Sequence, residues 1–175
     1  MAETGSHPAP TRAVIVGAIP DQPSRVLTEA ARYARLFGVP LIVAHVDVTR
    51  FISYEDPDGY VHTAPIDIDG ASGQAQLRLV EDAAASALGG VDGLEWSVRQ
   101  LVGDPALALK HLAEEVGARL IVVGTRRRGL GESIREFFTG SVAARLTHRQ
   151  SRPVLVVPLE EPARDDEDLW PDLDG

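Results

Sequence analysis

Cysteine is absent from this chain of 175 residues. Its absence excludes a disulfide framework, a thiolate metal site and a cysteine nucleophile, and it suits a reducing compartment, so the expected location is the cytoplasm. Long hydrophobic runs are missing too. No stretch approaches a membrane span, and the opening MAETGSHPAPTR has no signal-peptide core. Nor is there an excess of positive charge. The formal net charge is −9, and Glu160–Gly175 carries −7 of it through eight acids and one arginine. The remainder is close to neutral, so a general attraction to nucleic acid is not expected. Internal repeats, a carboxylate or histidine cluster with metal spacing, and a paired nucleophile and base are all lacking. An enzymatic role is therefore not expected.

What is present alternates in period. Short apolar runs of strand length stand at Ala13–Ala18, Leu41–Val48, Leu120–Val123 and Pro153–Pro158. A fifth strand, Leu94–Leu101, alternates instead, with Leu94, Trp96 and Val98 against Glu95, Ser97 and Arg99. One wet face marks it as an edge. Between the strands lie helical faces. Val26, Leu27, Ala30, Ala31, Ala34 and Phe37 trace the first, with Ser24 as candidate cap and Gly38 as its end. Leu77, Val80, Ala84 and Ala87 trace the second. Leu109, Leu112, Ala113 and Val116 trace the third, opened by Asp104 as cap and Pro105 in the first turn. Ser141–Gln150 forms the last, and Ser133–Glu136 fits a capping box for a short extra turn. Residues 50–73 read as a polar surface excursion with room for a short hairpin.

Strands alternating with helices give an α/β fold: an open five-stranded parallel sheet with helices on both faces, Rossmann-like. With the alternating strand at an edge the order is 3-2-1-4-5. Sheets of this kind bind ligands beyond the carboxyl ends of their strands, where the order reverses. Here that point lies between strands 1 and 4, beside Gly17–Asp21 and Gly124–Ser141. The second segment, GTRRRGLGESIREFFTGS, is a glycine-rich loop leading from a strand to a helix start. Bare glycine backbone and unpaired helix-terminal amides favour an anion there. Neither a Walker-type GxxxxGK followed by Ser or Thr nor a GxGxxG stands in it.

Strand 1, the Gly103-Asp104-Pro105 helix start, the Ile121–Gly124 strand end, the loop closing in Gly140-Ser141 and the final PVLVVP together resemble the universal stress protein family. The likeness runs over residues 12–158, between a flexible lead of residues 1–11 and an acidic tail, residues 159–175, expected to be disordered. It implies a stress-response binding protein, usually a homodimer, and in one branch ATP, with magnesium, at the sheet switch point. The alternative is a dimeric interaction module of the same family that binds no nucleotide. The ATP branch carries the pattern G-x2-G-x9-G followed by Ser or Thr. Gly124 fits its first glycine and Gly140-Ser141 its final pair, but Arg127 stands at the second, and the span is three residues longer. Gly129 or Gly131 takes that role through an altered loop path. The family's strand-1 aspartate position is Ile19, with Asp21 two residues on, and Val46 matches a position whose backbone touches the adenine. The candidate nucleotide site is thus Gly17, Ala18, Ile19, Asp21, Val46, Gly103, Asp104, Gly124, Thr125, Arg126, Arg127, Gly129, Gly131, Gly140 and Ser141. Arg126–Arg128 read either as phosphate ligands or as a solvated charge run. His45 reads as a packed core residue, His111 and His148 carry no chemistry, and Asp67 and Asp69 belong to solvent. Strand 5 (Val154, Leu155, Val156, Val157) has no polar face. A second copy of the chain is expected to cover that edge.

Overall fold

The computed structural model describes residues 12–55, 61–65, 70–125 and 142–159. In chain order these residues form β1 (Val14–Ala18), α1 (Arg25–Phe37), β2 (Leu41–Asp47), β3 (Arg50–Glu55), β4 (Val61–Pro65), α2 (Gly70–Leu88), β5 (Trp96–Val102), α3 (Pro105–Glu115), β6 (Leu120–Gly124), α4 (Val142–Arg149) and β7 (Val154–Val157). Five strands make one parallel sheet, ordered β5-β2-β1-β6-β7. This is the 3-2-1-4-5 arrangement expected from the alternation of periods.

The sheet separates two cores. Val14, Val16, Leu41, Val43 and Val122 face α1 and α2, where Val26, Leu27, Ala30, Ala34, Val80, Ala84 and Leu88 meet them. Ile15, Ile42, Ala44, Ile121 and Val123 face the other way, onto Leu109 and Leu112 of α3, Val116 just past its end, and Leu146 of α4. Successive strand residues point to opposite faces, so a strand covered on both sides must be apolar throughout. β2 is buried at all seven positions, whereas β5, at the edge, alternates between half-buried and exposed along its first five residues.

Local detail departs from expectation at three places. The edge strand begins at Trp96, two residues later than the pattern suggested, because Leu94 lies in the turn that hydrogen-bonds back to Val91. The surface excursion does hold a short hairpin, β3 and β4 pairing antiparallel apart from the main sheet, but α2 starts at Gly70, well before Leu77. Ser24 sits at the start of α1 in right-handed helical conformation, and its side chain makes no cap hydrogen bond. A capping hydroxyl reaches the following amides from an extended backbone, and Ser24 is already wound into the helix. The Ser133–Glu136 turn lies outside the described residues. Asp104 caps α3 as expected, its Oδ1 accepting from Leu107 N–H at 3.0 Å, with Pro105 next to it.

α4 is short and holds to the sheet through Leu146, its one fully buried side chain among the described residues. Replacing it leaves a cavity that eight residues of helix cannot close. Leu146→Ala is expected to cost about 2–5 kcal/mol in equilibrium denaturation. A loss under ~1 kcal/mol would mean that α4 docks by other contacts.

Candidate functional site

The switch point of the sheet is the gap between the ends of β1 and β6, whose neighbours on either side are β2 and β7. Beyond β1 the chain turns sharply. Pro20 is preset for the first central position of a turn, and Asp21 follows at φ 58°, a left-handed conformation that short polar side chains tolerate. Gln22 N–H closes the turn onto Ile19 O at 3.4 Å. The Gln22 side chain then folds back: its Oε1 accepts from Ile19 N–H at 3.3 Å. Ile19 itself projects outward, 48% exposed.

At the end of β6, Gly124 makes room for what surrounds it. A Cβ there would lie 2.7 Å from Gln22 Nε2 and 2.9 Å from Leu159 Cδ2. No residue but glycine fits without displacing both. Thr125 fixes the chain beyond: its N–H donates to Val157 O at 2.9 Å, and its Oγ1 accepts from Leu159 N–H at 2.9 Å. Gly17, one strand across, has a different reason to be glycine. A Cβ on it would press on Leu109 Cδ1 at 3.2 Å, so its bareness serves the packing of α3. Ala18 is buried, and its carbonyl lies 3.2 Å from His45 Nδ1.

On the β2 side, the end of the strand is unusually polar for a buried place. His45 and Asp47 are each only 1% exposed, and among the described residues His45 Nε2 and Asp47 Oδ2 have no hydrogen-bond partner. Asp47 is otherwise committed. Its Oδ1 accepts from Thr49 N–H at 2.9 Å and Thr49 Oγ1 at 2.6 Å, and its carbonyl accepts from Gly103 N–H at 3.1 Å. Gly73 of α2 lies against the carboxylate so closely that any Cβ would collide with Oδ2. Val46, between them, turns its buried side chain to the opposite core. Gly103 holds φ 100°, which lets the β5–α3 turn approach the end of β2.

Asp104 does two jobs. While Oδ1 caps α3, Oδ2 accepts from Arg145 Nη1 at 2.6 Å, joining the start of α3 to the second turn of α4. Partial burial pushes the Asp104 carboxyl up. The hydrogen bonds from Arg145 and Leu107 N–H and the guanidinium charge outweigh it and hold the group below its ordinary value.

The structure therefore brings Gly17, Ala18, Ile19 and Asp21 to the end of β1 beside Gly124 and Thr125 of β6, with Val46 one strand over on β2 and Gly103 and Asp104 beyond it, after β5. Arg126, Arg127, Gly129, Gly131, Gly140 and Ser141 lie outside the described residues. The sequence reading missed Gln22, Asp47, Arg145 and Leu159. Gln22 sat within a segment read only as a turn, and Arg145 meets a residue 41 positions away, a pairing that no local pattern signals. Among the described residues there is no group of three potential metal ligands. A hollow of about 430 Å³ lined by Gly38, Pro40, Asp92 and Glu95 lies at the amino ends of β2 and β5, away from the switch point.

Comparison with known proteins agrees with this architecture. Residues 11–158 match the model of the universal stress protein family. Universal stress protein YxiE of Bacillus subtilis (strain 168) is 26% identical over 140 residues, 78% of this chain and 91% of the relative. A universal stress protein solved in complex with cAMP is 27% identical with a TM-score of 0.54, over 87% of this chain and all of that one. The universal stress protein from Archaeoglobus fulgidus in complex with dAMP is 26% identical with a TM-score of 0.51, over 83% and 96% of the two chains.

Removing the Asp104 carboxylate takes away a cap and an ion pair together. Asp104→Ala is expected to lower stability at neutral pH by about 1–2 kcal/mol. A depressed folded-state value means the charge stabilises fully above the unfolded carboxyl's 3.8 and its contribution is lost as pH falls through the folded value. Denaturation curves of wild type and variant should accordingly converge at acid pH; a gap that stays constant would rule out the charge as its source.

Proposed function

The chain belongs to the universal stress protein family, and we propose that it is a regulatory binding protein that takes an adenine nucleotide, ATP above all, at the switch point and works as a homodimer. The observation that carries this reading is the bare end of β6 at Gly124, which Gln22 and Leu159 close over at the point where the strand order reverses. Relatives over a quarter identical to this chain were solved with cAMP and with dAMP, which favours an adenine ligand in particular.

The residues divide the ligand between them. The base would lie beyond the ends of β1 and β2, at Ala18 and Val46, with Val46 offering its backbone because its side chain is turned into the core against α3. Ile19, at the position of the family's strand-1 aspartate, contributes no polar side chain. Its amide and that of Thr125 already have partners within the protein, on Gln22 and Val157. The phosphates fall to Arg126, Arg127, the loop glycines Gly129, Gly131 and Gly140, and Ser141. Micromolar affinity corresponds to about 8 kcal/mol, and a charge-assisted hydrogen bond contributes only about 1.5–3 kcal/mol. Several loop contacts must act together, and bidentate arginine–phosphate pairs would offset the lost family glycine. Magnesium, where it accompanies ATP, would be held chiefly by the phosphates, as that ion commonly is. The bound nucleotide then biases the loop between β6 and α4.

The dimer reading rests on β7. Among the described residues it pairs with β6 alone, and Val156, 42% exposed, stands on it as a large apolar side chain turned to solvent. An apolar edge of this kind invites a second strand. A twofold partner pairing β7 with β7 would cover Val154, Leu155 and Val156 and extend the sheet across both copies, with Val157 at its end.

Two measurements follow. Calorimetric titration of the purified protein with ATP and AMP should give saturable binding in about the micromolar range. Gly124→Ala should weaken it by about tenfold or more, since the new methyl group displaces Gln22 and Leu159 into the gap; absence of saturable heat with the wild type would overturn the nucleotide reading. In sedimentation velocity the wild type should run as a dimer and Val156→Lys as a monomer. A wild type that stays monomeric at high concentration would remove the dimer from the proposal.

A further inference from the structure

The structure assigns to Gln22 the recognition of the adenine base, in place of the aspartate that Ile19 replaces; the assignment rests on the nucleotide reading above. Gln22 is held in position. Pro20 and the left-handed Asp21 set the turn, and the carboxamide is oriented by the bond from Ile19 N–H to Oε1. This leaves Nε2 lying over the bare Cα of Gly124, at the mouth of the gap between β1 and β6. Among the described residues Nε2 donates no hydrogen bond, and the side chain is half-buried, so the group is both presented and within reach of a ligand.

A carboxamide is a selective reader of adenine. It offers a donor and an acceptor side by side, matching a ring nitrogen acceptor next to the exocyclic amine donor of adenine. Oε1 retains a second lone pair after accepting from Ile19 N–H, so both halves of the group can engage the base. Hypoxanthine and guanine place a carbonyl oxygen where adenine has its amine, and the pairing fails at that atom. Ile19 cannot make the distinction, because its side chain has no polar atom and its amide is engaged by Gln22. An aspartate offers acceptors only; a glutamine adds the donor. The exchange of residues along this turn therefore changes how the base is read, while keeping a polar group at the same gap.

The test compares AMP with IMP, which differ at that one position of the base, on the full chain. Wild type should prefer AMP by about tenfold or more. Gln22→Ala should bring that ratio close to one, mainly by weakening AMP. Gln22→Glu keeps the side-chain length and an acceptor for the exocyclic amine but loses the donor to the ring nitrogen, so it should weaken AMP while still preferring it to IMP. If the preference survives in Gln22→Ala, Gln22 does not read the base, and the nucleotide site stands without it. If Gln22→Glu behaves as wild type while Gln22→Ala weakens AMP and IMP equally, Gln22 only supports the turn, and the assignment is wrong. If wild type binds neither nucleotide, the site reading and this assignment fall together.

Discussion

The structure depends on the enclosure of β1. The strand is paired on both edges, by β2 and β6, and covered on both faces by helices, so among the described residues its open approach is the end at Ala18. Such a strand has to be apolar and cannot itself carry chemistry. Function is pushed to the residues just past its end, where the chain must leave the sheet and turn. The reversal of strand order beside β6 guarantees that this end opens onto a gap rather than onto a crossing connection.

Room at that gap is controlled by the absence of side chains. Gly124 admits Gln22 and Leu159, Gly73 admits the Asp47 carboxylate, and Gly17 admits Leu109. These three glycines are not equivalent. The first opens the candidate ligand site, the second lets a buried carboxylate approach the first turn of α2, and the third is a matter of core packing. Asp47 is the most constrained of the polar groups, holding Thr49 through its side chain and Gly103 through its carbonyl. It ties the start of the β3–β4 excursion to the β5–α3 turn, so two connections that border the site are fixed by one residue.

The second organising contact is the pair between Asp104 and Arg145. α4 has only eight residues and little buried surface of its own to fix its position. A short helix with one fully buried side chain gains that position from an ion pair to a neighbouring, well-capped helix. The same carboxylate serves both helices, which couples the order of the β5–α3 turn to that of α4.

The sequence by itself determined the fold class, the strand order, the extent of α1, the Asp104 cap and the location of the switch point. These follow from periodicity, because burial on one face or two leaves a direct mark on which residues are apolar. It also marked Gly17, Gly124 and Ile19 as neighbours before any distance was known. The start of β5, the register of the β3–β4 pair, the early start of α2, the helical backbone at Ser24 and the partners of Gln22, Asp47 and Arg145 were decided only by the tertiary structure. A side-chain hydrogen bond between distant residues leaves no periodic trace, and a glutamine in a turn looks the same whether it faces solvent or a glycine on another strand. What Gln22 meets depends on Gly124, more than a hundred residues later in the chain, and only the folding of β1 against β6 brings the two together.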